Sequence, residues 1–371
     1  MTFKVGIIGY GLIGKKRSKN LGDGKLVAYS DLKRITESDI NLKDASFFEN
    51  WRDLVQIKEI DIIIIATPNN LCFEIMKECI ENKKHILVEK PAATNSKELI
   101  ELIELSKKND AKIHVGFNHR FHPAIIQAKN IIDQNKLGEL MFIRARYGHG
   151  GRLGYEKEWR ANPKISGGGE IMDQGCHLID LSRWFFQNEF SKCLSSSKTY
   201  FWDMKVEDNG FMILETPDNK TAFLHVSCTE WKNLFSMEIY GKKGKLKIDG
   251  LGGSYGVETL TYYKMLPEMG PPKTQEWVYD EEDKSWEVEI SQFYDSIRSD
   301  KMPSVGLVDA METLKIVEQI YEDNNYDYTI YIDNDVYIYP DSDPIPEFSG
   351  LRNVREPEGN SSKIFRDINK L

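Results

Sequence analysis

Asp173, His177 and Asp180 stand at i, i+4 and i+7 in the stretch Ser166 to Asp180. From there on, the apolar residues Ile171, Leu178, Ile179, Leu181, Trp184 and Phe185 recur at helical spacing. On an α-helix the three polar groups share one face. A carboxylate, an imidazole and a second carboxylate so placed can hold, orient and tune a proton carrier. The same pattern also describes a solvated helix face, or a core histidine satisfied by a neighbour. What favours chemistry is the start of the chain, where a cofactor site can be read.

Phe3-Lys4-Val5-Gly6-Ile7-Ile8 suits a buried parallel strand and runs into Gly9-Tyr10-Gly11-Leu12-Ile13-Gly14, followed by a helix-like stretch. Between a strand and a helix, G-x-G-x-x-G acquires a physical meaning. Gly9 permits the tight turn, Gly11 the close approach of a pyrophosphate and Gly14 close helix–strand packing, with the helix N-terminus facing the anion. A second strand, residues 26–30, ends at Asp31, where a carboxylate accepts from ribose hydroxyls and repels a 2′-phosphate. NAD is therefore the expected cofactor, with NADP as the alternative because Lys33 and Arg34 follow. Further along, Thr67-Pro68-Asn69 and Glu89-Lys90-Pro91 each close a buried strand, at the carboxyl edge where open α/β sheets bind ligands. Lys90 there is either a surface charge or an ammonium directed into the cleft.

A chain of 371 residues suits two domains. The net charge of −9 argues against nucleic acid or an anionic membrane as the main partner. Five scattered cysteines without a C-x-x-C pair read as reduced thiols of a cytoplasmic protein, with no metal site expected. The start at a strand suggests no signal peptide, and the apolar run 60–66 is too short for a membrane span.

The elements that must position these groups are an α/β Rossmann domain over residues 1–120 and an α+β domain over 121–325. The second domain carries a large, mostly antiparallel open sheet. Strands are expected over 194–201, 210–215, 221–230, 236–240 and 244–248, the alternation of 221–227 suiting a sheet with one covered face. Helices over 285–298 and 308–322 close the fold, and residues 326–371 form a C-terminal extension, read as a strand and an extended tail.

Taken in order, Gly9-x-Gly11-x-x-Gly14, Ala66-Thr67-Pro68-Asn69, Glu89-Lys90-Pro91, Arg120-Phe121-x-Pro123, Trp159-Arg160 and Gly167-Gly168-Gly169-x-x-x-Asp173-x-Gly175-x-His177-x-x-Asp180 resemble the Gfo/Idh/MocA oxidoreductases. The resemblance covers roughly residues 3–325 and implies sugars, cyclitols or sugar derivatives as substrates, with NAD or NADP as hydride carrier. It also implies that Lys90, Asp173 and His177 form the catalytic set, and that dimers or tetramers build through the open sheet. Two departures stand out: Cys72 where the family often has histidine, and some forty residues past the usual end.

The expected reaction is oxidation of a secondary hydroxyl. His177 serves as general base, Lys90 stabilises alkoxide charge, Asp173 orients Lys90 and substrate, and Asp180 fixes the His177 tautomer. Cofactor contacts are expected from Gly9, Gly11, Leu12, Ile13, Gly14, Asp31, Thr67, Pro68, Asn69, Glu89, Lys90 and Asn118. Substrate contacts are expected from Lys90, Arg120, Arg152, Trp159, Arg160, Asp173 and His177, an anionic substrate being favoured if Arg152 or Arg160 takes part. Two other functions share the motifs: glycoside cleavage through transient oxidation, and non-redox sensing of the dinucleotide.

Overall fold

The structure, a computed structural model, describes residues 2–35 and 42–326. The strand and tail expected beyond residue 326 lie outside the described residues. The described residues fall within one compact unit that contains both sheets.

Six strands make a parallel sheet: β1 (Lys4–Ile8), β2 (Lys25–Ser30), β3 (Ser46–Phe48), β4 (Ile62–Ile65), β5 (His85–Val88) and β6 (Ile113–Val115), in the order β3-β2-β1-β4-β5-β6. β4 is four consecutive isoleucines, all fully buried, as a strand covered on both faces requires. The order reverses between β1 and β4. The crevice at their carboxyl ends is therefore bounded by Gly9, Thr67 and, one strand further, Lys90.

Eight strands make the second sheet: β7 (Leu140–Gly148), β8 (Lys192–Lys198), β9 (Asn209–Glu215), β10 (Thr221–Ser227), β11 (Leu234–Gly241), β12 (Gly244–Asp249), β13 (Glu258–Lys264) and β14 (Lys273–Tyr279). Their order is β14-β13-β12-β11-β7-β10-β9-β8, antiparallel throughout except for β7 against β10. One face is packed. The other presents Phe142, Ile213 and Phe223, along with Arg144 and Glu238, which form an ion pair. Three of these strands, β7, β13 and β14, are not among those expected. In β7 Arg144 and Arg146 alternate with buried Ile143, Ala145 and Tyr147, and edge strand β14 opens on the polar residues Lys273, Thr274, Gln275 and Glu276.

The helix Ser285–Arg298 returns to the first sheet. Its Ile290, Phe293 and Tyr294 share a buried cluster with Phe3, Val5, Ile7 and Tyr29, each such side chain worth about 1.5–3 kcal/mol. The Tyr294 hydroxyl also donates to Leu21 O at 3.0 Å. Among the described residues no helix is long and apolar enough to cross a membrane, and no group of three or more His, Cys, Asp or Glu is placed to hold a metal ion.

Candidate active site

The dinucleotide cradle follows from the backbone. Gly9 has φ +86°, and a Cβ there would stand 2.6 Å from Ala66 O. A Cβ on Gly14 would stand 2.1 Å from Gly9 O, so helix and turn meet at a distance only glycine tolerates. At Gly11 a Cβ would meet nothing within 4 Å, which leaves an open face where this residue begins the helix Leu12–Lys19. That N-terminus has no side-chain cap, with Leu12 exposed and Ile13 half-buried behind it. The Asp31 carboxylate ties β2 to the glycine turn, accepting from Tyr10 N at 2.7 Å and from Leu32 N at 2.7 Å. Two such bonds leave lone pairs for ribose hydroxyls. An open face, uncapped amides and a carboxylate at the strand end fit a dinucleotide.

Lys90 reaches from the end of β5 to the glycine-preceded segment. Its Nζ donates to the Asp173 main-chain oxygen at 2.6 Å and also to Asp173 Oδ1. Arg160 Nε approaches the other carboxylate oxygen at 3.3 Å, its guanidinium lying 4.6 Å over the Trp159 ring. Against the upward push of burial, the Lys90 and Arg160 charges hold Asp173 well below the usual carboxylate range. Burial would lower Lys90, but the Asp173 charge outweighs it and raises its pKa, keeping the ammonium protonated.

His177 is buried, with Nδ1 lacking a hydrogen-bond partner. Its ring stacks on His119 with centroids 3.7 Å apart, and Phe117 and Tyr147 meet it edge-on. Burial first, and the Lys90 charge second, hold its pKa well below the ordinary imidazole value. The ring is therefore neutral.

Two expectations are corrected, the single catalytic helix and the Asp180–His177 contact. The stretch expected to be catalytic is not one α-helix: Ile171–Gly175 is a π turn, and only Cys176–Phe186 is α-helical. The wider turn rotates Asp173 away from the face predicted at α spacing. Asp180 does not orient His177; it takes both Nε and Nη2 of Arg120 in a buried pair. Arg120 also meets Asp309 at 2.7 Å, so its guanidinium braces the interior. Arg152 Nε pairs with Glu158 at 2.8 Å on a half-exposed loop. Asn69 donates to Ser166 O at 2.7 Å, joining the Thr-Pro-Asn turn to the glycine run, while Pro68 starts the helix Asn69–Glu81. Thr67 Oγ1 stands 3.7 Å from Cys72 Sγ, and Asn118 approaches Ser285 Oγ at 3.4 Å. Glu89, expected beside the cofactor, accepts Arg17 Nε at 2.7 Å; Arg17 also pairs with buried Glu289.

Residues 3–117 match the family described as "Oxidoreductase family, NAD-binding Rossmann fold", and residues 125–247 match "GFO/IDH/MocA C-terminal domain". The chain belongs to the Gfo/Idh/MocA oxidoreductase family. Among relatives of this family, levoglucosan dehydrogenase of Pseudarthrobacter phenanthrenivorans is 27% identical over 58% of this chain and 59% of its own length. Inositol 2-dehydrogenase of Salmonella typhimurium is 23% identical over 67% of this chain and 74% of its own length. A solved structure titled levoglucosan dehydrogenase, complex with NADH and levoglucosan, has TM-score 0.79 at 20% identity, covering 88% of this chain and 98% of that one. Little more than half of the first two curated relatives is matched, 59% for levoglucosan dehydrogenase and 58% for trans-1,2-dihydrobenzene-1,2-diol dehydrogenase of Xenopus tropicalis.

The Gfo/Idh/MocA motifs take on local reasons in this chain. A Cβ on Gly168 would meet the Tyr321 hydroxyl at 2.1 Å, and one on Gly169 would meet Glu207 O at 2.1 Å. The glycine run is thus a packing requirement, with the Glu207 carboxylate accepting Gly169 N at 3.1 Å and Ile171 N at 2.9 Å. Cys72 is buried under the Thr67-Pro68 turn, and burial pushes its thiol up to about 12. Sequence reasoning missed His119, Arg17, Tyr155, Glu170 and Glu207. An acid inside an otherwise apolar, glycine-preceded run was the available signal for Glu170, and the histidine beside Arg120 the signal for His119.

Proposed function

We propose that the chain is an NAD-dependent dehydrogenase that oxidises a secondary hydroxyl of a sugar, sugar derivative or cyclitol. The observation that carries this reading is the Lys90 ammonium, held by Asp173 at the carboxyl edge of the parallel sheet, with the buried His177 ring four residues beyond Asp173 in the same segment. Bound NAD supplies the hydride acceptor. His177 accepts the hydroxyl proton, which a charged imidazole could not do. Lys90 donates a hydrogen bond to the same oxygen and stabilises the developing alkoxide. Asp173 fixes the ammonium through two oxygens, and Arg160 with Trp159 lines the cleft beside it. The names of the relatives, an anhydrosugar and an inositol dehydrogenase, support a polyhydroxylated ring as substrate.

The test is a screen of sugars, cyclitols and sugar derivatives, nucleotide-linked and phosphorylated ones included, for accumulation of NADH absorbance. A dehydrogenase accumulates NADH with at least one of them. Cleavage of glycosides without NADH accumulation, or NAD binding without turnover of any compound, overturns the reading.

We also propose that the face bearing Phe142, Ile213 and Phe223 packs against a second copy of the chain, because it joins exposed apolar rings to a charged rim. Light scattering checks this: Phe223→Lys lowers the molar mass of the particle, and an unchanged mass discards the proposal.

A further inference from the structure

Glu170 lines the same cleft as Tyr155, Trp159, Arg160 and Asp173, yet the reaction above gives it nothing to do. It is 2% exposed. Its Oε1 accepts the Tyr155 hydroxyl at 2.9 Å, and His149 Nε2 stands 3.7 Å from the same oxygen. Its Oε2 is buried and has no strong donor beside it, only the weakly donating, neutral Cys228 thiol. An ionised carboxylate left that way carries a large desolvation cost.

The charges around it favour the neutral form. The groups facing Glu170 are Asp173, Glu207, Tyr155, Tyr255, the Cys228 thiol, His149 and Arg160. Burial pushes His149 down to about 4, so it offers no positive charge. Arg160 is the one permanent cation of the set, and it is engaged by Asp173 at 3.3 Å. Burial and then the Asp173 charge push Glu170 up to about 8.

We propose that Glu170 is a positioning residue that must keep its proton for the Lys90–Asp173 pair to function, so that loss of this proton ends turnover at alkaline pH. The reason is a charge balance. With Glu170 neutral, Lys90, Arg160 and Asp173 sum to one net positive charge, which favours a developing alkoxide. An ionised Glu170 cancels that charge and competes with Asp173 for Arg160. The proposal rests on the dehydrogenase reading above.

The experiment is the pH profile of kcat/KM for NADH formation in wild type, Glu170→Gln and Glu170→Asp. Wild-type kcat/KM falls about tenfold per pH unit above about 8. Glu170→Gln, similar in shape and permanently neutral, keeps its rate at pH about 7 within roughly threefold and stays flat above it. Glu170→Asp keeps a titratable group and an alkaline limb. An unchanged limb in Glu170→Gln overturns the proposal. Infrared spectra of wild type labelled with carboxyl-¹³C glutamate need no variant to fold. A protonated-carboxyl band titrating near pH 8 supports the proposal, and absence of such a band sinks it alone. If no sugar is oxidised, the dehydrogenase reading fails first and the proposal falls with it.

Discussion

The ring of His119 lies flat on that of His177, with centroids 3.7 Å apart and planes 14° from parallel. One ring comes from the turn after the parallel sheet and the other from the helix Cys176–Phe186, so the stack joins the two halves of the site. It holds the proposed base, His177, in one orientation.

Both imidazoles have pKa values held well below the ordinary 6.5, by burial first. The unfolded chain therefore binds more protons than the folded one, and stability present above the unfolded value is lost as pH falls below it. Urea midpoints are expected to drop between pH about 7 and about 5. His119→Phe, which keeps a ring in the stack, makes that drop smaller. Equal slopes for variant and wild type would refute the assignment.

Replacing Lys90 by alanine removes the ammonium proposed to meet the alkoxide and leaves the glycine cradle untouched. Turnover is expected to fall by about 10²–10⁴ while NADH affinity, read by fluorescence titration, changes little. Wild-type turnover in Lys90→Ala would remove Lys90 from the mechanism.

Arg120 and Asp180 act as structure. Burial lowers the arginine's pKa, but the Asp180 and Asp309 charges outweigh it and raise it, so the guanidinium stays charged. Arg120→Met strands Asp180 in the interior and should cost about 3–5 kcal/mol in urea denaturation. Adding Asp180→Leu removes the stranded charge and recovers much of the loss. A variant as stable as wild type but with a raised KM for sugar would restore the substrate role.

Two glycines of one motif should fail in different ways. Gly11→Ala places its methyl group in open space, so stability holds while NADH affinity falls. Gly14→Ala forces a methyl group to within 2.1 Å of Gly9 O and costs stability before binding, about 1–3 kcal/mol or more. Thermal melts with and without NADH separate the two, and equal effects at both positions would contradict the cradle.

What the amino-acid order settled by itself is local. The isoleucine run of β4, the glycine spacing after β1 and the acid closing β2 each express a short-range rule, and they specified the parallel sheet and its nucleotide edge. Lys90 at the end of β5 was legible for the same reason. Strands β13 and β14 were not: β13 buries Glu258 and Thr261 among its apolar residues and β14 is largely exposed, so neither keeps a strong period. By contrast, β7 does alternate through Ile143-Arg144-Ala145-Arg146-Tyr147 and was within reach of the same rule. Tertiary structure alone decided who pairs with whom. Helical spacing placed Asp180 beside His177, but a π turn shifts Asp173 and a buried Arg120, 60 residues away, claims Asp180. Glu89 and Glu170 are both acids near the cleft. The first finds Arg17 and the second finds no unshared cation, and that difference is set by burial and charge brought together from distant parts of the chain.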